Sequence, residues 1–199
     1  MGALPVRLFD LIANLFYNDE VKSAIKNAVS PSHDLAILDA PCGTGILTPL
    51  CLPSQYTGID LDADRIASAK ERYAGVGSFF VADAAKLDFP GASFDVILAS
   101  GLFHHLDDVT VLRVLAEFSR VLKPRGRLVV FEAIWPLNRL NVLGYVMRRM
   151  DKGKFVRHAA EFENMFKQYF TISSGRPLNS LCLDYDLKVM VPHGEEDKL

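Results

Sequence analysis

The chain has 199 residues, half of them hydrophobic, and its 22 basic and 24 acidic side chains give a net charge of -2. That length supports one domain with a full core, and the charge balance excludes a general electrostatic pull toward nucleic acid or an anionic surface. Cys42, Cys51 and Cys182 are odd in number and lack CxxC spacing, which argues against a disulfide framework or a structural zinc site and for a reducing compartment.

In chain order, Val6 to Val29 carry apolar residues at helical spacing with a break near Asn18-Asp19, the pattern of an N-terminal helical cap over residues 1–30. Its polar face lacks the Lys/Arg excess of interfacial helices, so packing on a sheet edge is the expected role. The segment lacks the plan of a secretory signal, and charges break every apolar run before the roughly 20 residues needed to cross a bilayer. The expected location is cytoplasmic.

Five runs of strand length follow: Ala36 to Asp39, Tyr56 to Leu61, Phe79 to Ala82, Phe94 to Ser100 and Arg127 to Ile134. Helical stretches at Ile46 to Leu52, Asp64 to Ala74 and Val109 to Leu122 separate them. Such alternation predicts an α/β, doubly wound, Rossmann-like fold: parallel strands joined by crossovers, with helices on both faces. Lys123-Pro124-Arg125-Gly126 reads as the turn into the fifth strand. Beyond Trp135-Pro136 come two more helices, Asn138 to Met150 and Ala160 to Tyr169, then strands at Phe170 to Ser174 and Asp184 to Val191. A single domain is expected, with residues 135–170 as a helical insertion.

Ligands of such sheets sit at the carboxyl ends of the strands, and three acids close apolar runs there: Asp39, Asp60 and Asp83. After Asp39 the turn Ala40-Pro41-Cys42-Gly43-Thr44-Gly45 contains two glycines, which permit a close backbone approach or a positive φ. Asp60 is suited to accept both hydroxyls of a ribose, because an ionised carboxylate offers only acceptor sites. Asp62 and Asp64 are neighbouring alternatives, Asp64 being the better helix starter. A dinucleotide fingerprint would need a third glycine at Thr48, and its absence ranks a nicotinamide cofactor far lower.

Leu38 to Gly45, Gly58-Ile59-Asp60, Val81-Ala82-Asp83-Ala84, Phe94-Asp95-Val96-Ile97 and Leu122-Lys123-Pro124-Arg125-Gly126, in that order, resemble the successive motifs of class I S-adenosylmethionine-dependent methyltransferases. The resemblance covers roughly residues 36 to 134. It implies a seven-stranded sheet with a reversed last strand and S-adenosyl-L-methionine as cofactor. It would place the Gly43 and Gly45 turn beside the amino-acid part of the cofactor, Asp60 on the ribose, and Asp83 with Ala84 at the adenine, while Asp39 would orient the loop or contact the methionine end; Ala40, Pro41, Cys42 and Leu61 complete the cofactor-binding set. Ser100, ending the fourth strand, joins this cofactor set. Pro41 departs from the glycine many members have there; it removes an N–H donor and leaves Gly43 and Gly45 to bring the backbone close.

Methyl transfer needs alignment and exclusion of water more than strong acids or bases. His104 and His105, after the fourth strand, stand near where the methyl group would lie. Adjacent positions cannot place both rings on one side of a regular helix, which argues against a metal site. A structural role for the pair and a general-base role, preferentially for His105, both stay open. The insertion is locally basic through Arg148, Arg149, Lys152, Lys154, Arg157 and His158, read either as a solvated helix face or as a grip on a carboxylate or phosphate. Phe155, Phe162, Phe166 and Tyr169 read mainly as core.

The expectation is methyl transfer to a small-molecule acceptor, one reading giving it an anionic group, with oxygen or nitrogen favoured as the methylated atom by base rate. The alternative is a silent S-adenosylmethionine-binding fold that acts as a protein partner or regulator. An RNA or protein substrate ranks lower, and no nucleic acid partner is expected, since charge is not in excess.

Overall fold

The computed structural model describes residues 10–11, 14–52, 54–151 and 153–193. In chain order the elements are α1 (Asp19–Val29), β1 (Ala36–Asp39), α2 (Thr48–Cys51), β2 (Gln55–Asp60), α3 (Ala63–Arg72), β3 (Ser78–Val81) and β4 (Phe94–Ser100). A 3-10 turn (Phe103–His105) follows, then α4 (Asp108–Val121), β5 (Leu122–Ala133), α5 (Val142–Met150), α6 (Ala159–Phe166), β6 (Phe170–Ser180) and β7 (Leu183–Pro192).

The strands form one seven-stranded sheet in the order β3-β2-β1-β4-β5-β7-β6. The first five pair in parallel, and β7 runs antiparallel to both β5 and β6. Parallel strands need crossover connections, so helices must cover both faces. Accordingly the core splits in two. One half sets Val21, Ile25 and Val29 of α1 against Ile37, Val96 and Val129, and the other sets Val111, Leu115 and Phe118 of α4 against Leu38, Ile97 and Val130. Successive strand residues point to opposite faces, which is why Ile37 and Leu38 belong to different halves.

Helix starts follow the local chemistry. Asn18 caps α1 by accepting from the Val21 N–H, Asp62 caps α3 from the Asp64 and Arg65 N–H groups, and Asp107 caps α4 from Thr110. Thus Asp62, not Asp64, is the residue that starts α3 from outside.

Several expectations change. The N-terminal helix packs across a face of the sheet rather than along an edge: its apolar stripe is in the core, and the Arg127 guanidinium of β5 donates to the carbonyls of Ala28 and Val29. The expected extension of this cap to residues 1–9, 12 and 13 lies outside the described residues. Strand β5 begins at Leu122, so Lys123-Pro124-Arg125-Gly126 is the irregular entry to a strand. Leu122 pairs with Phe94, and the register shifts before Val96 pairs with Arg127. A Cβ at Gly126 would stand 2.8 Å from Leu122 Cγ and 2.9 Å from the Asp95 carbonyl oxygen, so the backbone can pass only as glycine. Strand β6 continues to Ser180 because β7 supplies a partner along its whole length.

Candidate active site

The carboxyl ends of β3, β2, β1, β4 and β5, with the start of β7, open into one cavity of about 760 Å³. Five strand-to-strand steps of about 4.8 Å carry it roughly 24 Å across the sheet. The order of strands reverses between β1 and β4, the switch point at which such sheets bind ligands.

The β3-β2-β1 half, with Ser100 at the end of β4, gathers most of the predicted cofactor residues. Ala40, Pro41, Cys42, Gly43, Asp60, Leu61, Asp83, Ala84 and Ser100 all line the cavity. The loop after β1 is held by its own backbone: the Ala40 N–H donates to the Leu98 carbonyl at 2.9 Å and the Cys42 N–H to that of Ile59 at 2.8 Å. Gly43 and Gly45 take φ of 55° and 80°. A Cβ on Gly45 would stand 2.7 Å from the Tyr73 ring, so glycine is required there twice over. Gly45 does not itself line the cavity; it turns the loop so that Gly43 does.

Asp60 is the hinge between loop and strand. Its Oδ2 accepts the Gly43 N–H at 2.9 Å and its Oδ1 the Asp62 N–H at 2.9 Å. A carboxylate has about four acceptor positions, so each oxygen keeps capacity for a hydroxyl from the cavity side. Asp83 has the same habit, with Oδ1 accepting from the Ala85 N–H at 2.8 Å.

Asp39 lies behind the loop, 1% exposed. Its Oδ2 accepts the Tyr56 hydroxyl at 2.7 Å, while Oδ1 is buried without a hydrogen-bond partner. Burial, and then the nearby charge of Asp60, hold its pKa up at about 7 in spite of the Tyr56 hydrogen bond. An orphaned carboxyl oxygen beside a glycine loop fits a ligand that brings a cation or N–H donors.

The β4-β5-β7 half has a different lining: Phe16, Tyr17, Leu102, Phe131, Met147 and Tyr185. Tyr17 comes from the N-terminal segment, and its hydroxyl is 2.8 Å from Ser100 Oγ. Asp10 of the same segment accepts from the Thr44 hydroxyl of the glycine loop and from the Arg72 guanidinium of α3. The cap is therefore bonded to the loop as well as to the core.

The histidine pair divides in two. His104 is buried, and its Nδ1 bonds to Glu132 Oε1 of β5; its Nε2 is 4.0 Å from Asp151 Oδ1. Glu132 also accepts the N–H groups of Phe103 at 2.6 Å and Ala133 at 2.8 Å. Burial acts against charge on both partners, yet their mutual attraction outweighs it. His104 is raised above the ordinary histidine range and Glu132 lowered below the carboxylate range, which makes them an ion pair. A Cβ on Gly153 would lie 2.1 Å from His104 Cδ2, and the Phe155 N–H donates to the His104 carbonyl at 3.0 Å. The loop between α5 and α6 is thereby keyed onto the histidine. His105 lines the cavity, pulled down to about 4 by desolvation and by the neighbouring His104 charge.

Neither reading of the basic insertion describes Arg148 and Arg157. Both are buried and committed. Arg148 donates to the Ile134 and Asp184 carbonyls, pairs with Asp151 and stacks over Tyr185 at 4.6 Å. Arg157 donates to the carbonyls of Phe103, Phe155 and Leu106 and pairs with Asp108. Lys152 lies outside the described residues, and Phe162 and Phe166 are core as expected. Glu132 and Tyr17 went unrecognised in the sequence. The signal for Glu132 was a lone acid in the apolar run Leu128 to Ile134, since a buried charge must be paired.

Residues 38–130 match the family described as a methyltransferase domain. Over that stretch the chain is similar to class I, S-adenosylmethionine-dependent methyltransferases. The sheet order, the reversed β7 and the loop-acid-acid series at the ends of β1, β2 and β3 are its framework. Among similar proteins, a ubiquinone/menaquinone biosynthesis C-methyltransferase UbiE of Desulfotalea psychrophila is 37% identical over 109 residues, covering 52% of this chain and 44% of that protein. An O-methyltransferase cnsE of Penicillium expansum is 34% identical over 125 residues, 58% of this chain and 44% of that protein. The matches thus span under half the length of these two relatives. In fold, a geranyl diphosphate methyltransferase solved with S-adenosylmethionine superposes with a TM-score of 0.73 at 14% identity, over 86% of this chain and 84% of that one. The cofactor of the methyltransferase domain is S-adenosylmethionine, and the unpartnered Asp39 Oδ1, the spare acceptor capacity of Asp60 and the positive-φ glycine turn fit it. Among the described residues, no helix is long and apolar enough to cross a membrane.

Proposed function

We propose that this chain transfers a methyl group from S-adenosylmethionine to a small-molecule acceptor with a largely apolar body. The observation that carries the reading is the division of one cavity into an acidic, glycine-turned half at β3-β2-β1 and an aromatic and aliphatic half at β4-β5-β7. In the first half, Asp60 would accept the ribose hydroxyls, with Leu61 beside it. Asp83 and Ala84 would meet the adenine. Asp39 and the loop Ala40, Pro41, Cys42, Gly43, shaped by Gly45, would hold the amino-acid end, with Ser100 next to it. When bound, the cofactor supplies a methyl carbon on a sulfonium, an electrophile that needs an aligned nucleophile in a dry site.

The second half supplies that alignment. Tyr17, Phe131 and Tyr185 exclude water, and His105, neutral above about pH 4, can accept a hydrogen bond from an acceptor O–H or N–H and orient its lone pair. His104 is held protonated by Glu132 and so is a positioning residue, fixing the turn that presents His105. With Arg148 and Arg157 committed elsewhere, an apolar acceptor suits the cavity better than one selected for its negative charge. Methylation on oxygen or nitrogen is the form of the reaction that would use His105.

The test is incubation with methyl-labelled S-adenosylmethionine and a panel of phenolic, amine and prenyl or acyl acceptors, read by label in the organic phase. Labelled product that disappears in Asp60→Ala supports the reading. Calorimetric binding of the cofactor with no product from any acceptor would favour a silent binding fold, and no binding at all would reject the donor assignment.

A further inference from the structure

Helix α5 turns the usual amphipathic arrangement outward. Its inner side is Gly144 and Arg148. A Cβ at Gly144 would meet the Cys182 carbonyl at 2.7 Å, and the Arg148 guanidinium is buried on the Ile134 and Asp184 carbonyls. Its outer side and the approach to it expose Leu137, Leu140, Val142, Leu143, Val146 and Met150, with Leu140 86% and Met150 79% exposed. From 142 to 150 these positions recur at three- and four-residue spacing, so they share one helix face. A monomer rarely exposes so continuous an apolar strip without a use.

The charge around the strip decides among occupants. Residues 135–150 contain no Asp or Glu, and Arg139, Arg149 and Lys154 are exposed along it. Two carboxylates bonded to this segment are engaged, Asp151 by the Arg148 guanidinium and Asp184 by the Leu137 N–H. An apolar segment whose own charges are all cationic is complementary to an anionic lipid surface, where acyl chains take the leucines and headgroups the arginines. Pairing with a second copy would set arginine against arginine, with no carboxylate in residues 135–150 to separate them.

We infer that α5 is an interfacial docking helix that seats the protein on an anionic bilayer. Met147 and Met150 belong both to α5 and to the cavity lining, so the docked helix forms a wall between lipid and the acceptor half. An apolar acceptor would then reach the site from the bilayer; this last step rests on the acceptor reading above, whereas docking does not.

The test uses the full chain without cofactor or acceptor, sedimented with vesicles of phosphatidylcholine alone or mixed with phosphatidylglycerol. The expected result is binding to the mixed vesicles, weak binding to phosphatidylcholine, and a fall in partition of about 30-fold in R139Q/R149Q, from roughly a fivefold loss per basic residue. Leu140→Asp/Leu143→Asp should abolish binding. These residues lie outside the cavity lining, so calorimetric cofactor binding by each variant should match the parent and shows that it is folded. Failure of the parent to bind mixed vesicles, or unchanged binding by both variants, overturns the inference. A dimer in gel filtration that Leu143→Asp splits would also overturn it, assigning the face to a second copy.

Discussion

Asp39→Asn should remove a pH-dependent penalty from the cofactor-free protein. The carboxyl of Asp39 titrates at about 7 in the folded chain against an ordinary value of 3.8. As pH rises through that window, the unfolded chain ionises first and gains solvation that the folded chain cannot match. Stability is therefore lost between pH 3.8 and about 7 and is level above it. At about 1.36 kcal/mol per pH unit the full leg is about 4 kcal/mol, an upper figure that relaxation around the site will reduce toward ~2 kcal/mol. The asparagine keeps an acceptor for the Tyr56 hydroxyl and has no charge to bury, so the leg should vanish from its profile. Urea unfolding of both proteins across this pH range measures it, as the parent-minus-variant difference at each pH. A difference that stays flat within about 1 kcal/mol would refute the reasoning, because Asp39 would then be ionised and solvated in the fold. Saturating S-adenosylmethionine should flatten the parent's leg as well, since a cation at Oδ1 favours the carboxylate. Calorimetry in two buffers of different ionisation enthalpy should then register proton release on binding below pH 7.

Gly45→Ala imposes a side chain at φ 80° and 2.7 Å from the Tyr73 ring, and should cost about 1–2 kcal/mol from backbone strain alone while lowering cofactor affinity. Calorimetry of G45A and G45A/Y73A separates the causes, because removing the ring relieves only the clash. Glu132→Leu leaves the His104 ring and the Phe103 and Ala133 N–H groups without their acceptor, and should destabilise the fold by about 3–5 kcal/mol in thermal unfolding. The ion pair has its own pH sign. With His104 raised in the fold, its stabilisation is complete below the ordinary 6.5 and fades as pH rises through the folded value, a leg that His104→Gln should lack in urea titrations. His105→Ala should lower kcat more than KM, and unchanged turnover would remove its orienting role.

Much of the β3-β2-β1 half of the cavity was legible because a short parallel strand must end somewhere, and an acid or glycine placed there has little structural reason. Asp39, Asp60 and Asp83 each interrupt an apolar run at the point where the backbone leaves the sheet, and all three flank the cavity or lie just behind its loop. The β4-β5-β7 half was harder to read because its residues come from distant segments. Tyr17 and Ser100 are 83 positions apart, and no periodicity links them. Arg148 and Arg157 look like solvent-facing charges by spacing, yet carbonyls freed at the ends of β5 and the 3-10 turn draw them inward. The start of β5 was misplaced for a related reason: a proline and a glycine announce a turn and a bulged strand entry equally well, and only the approach of Gly126 to Asp95 separates the two.

The contact of Gly153 with His104 limits how residues 135–170 can be exchanged. The loop joining α5 to α6 and the turn after β4 are two parts of one joint, cut from separate stretches of chain. A chimera that imports another insertion for residues 135–170 must bring a glycine at the same depth or surrender the imidazole's seat, and with it the Glu132 pair beneath. The insertion and the histidine turn are thus interchangeable only as a matched set, and a library that varies the insertion alone should be thinned by misfolding.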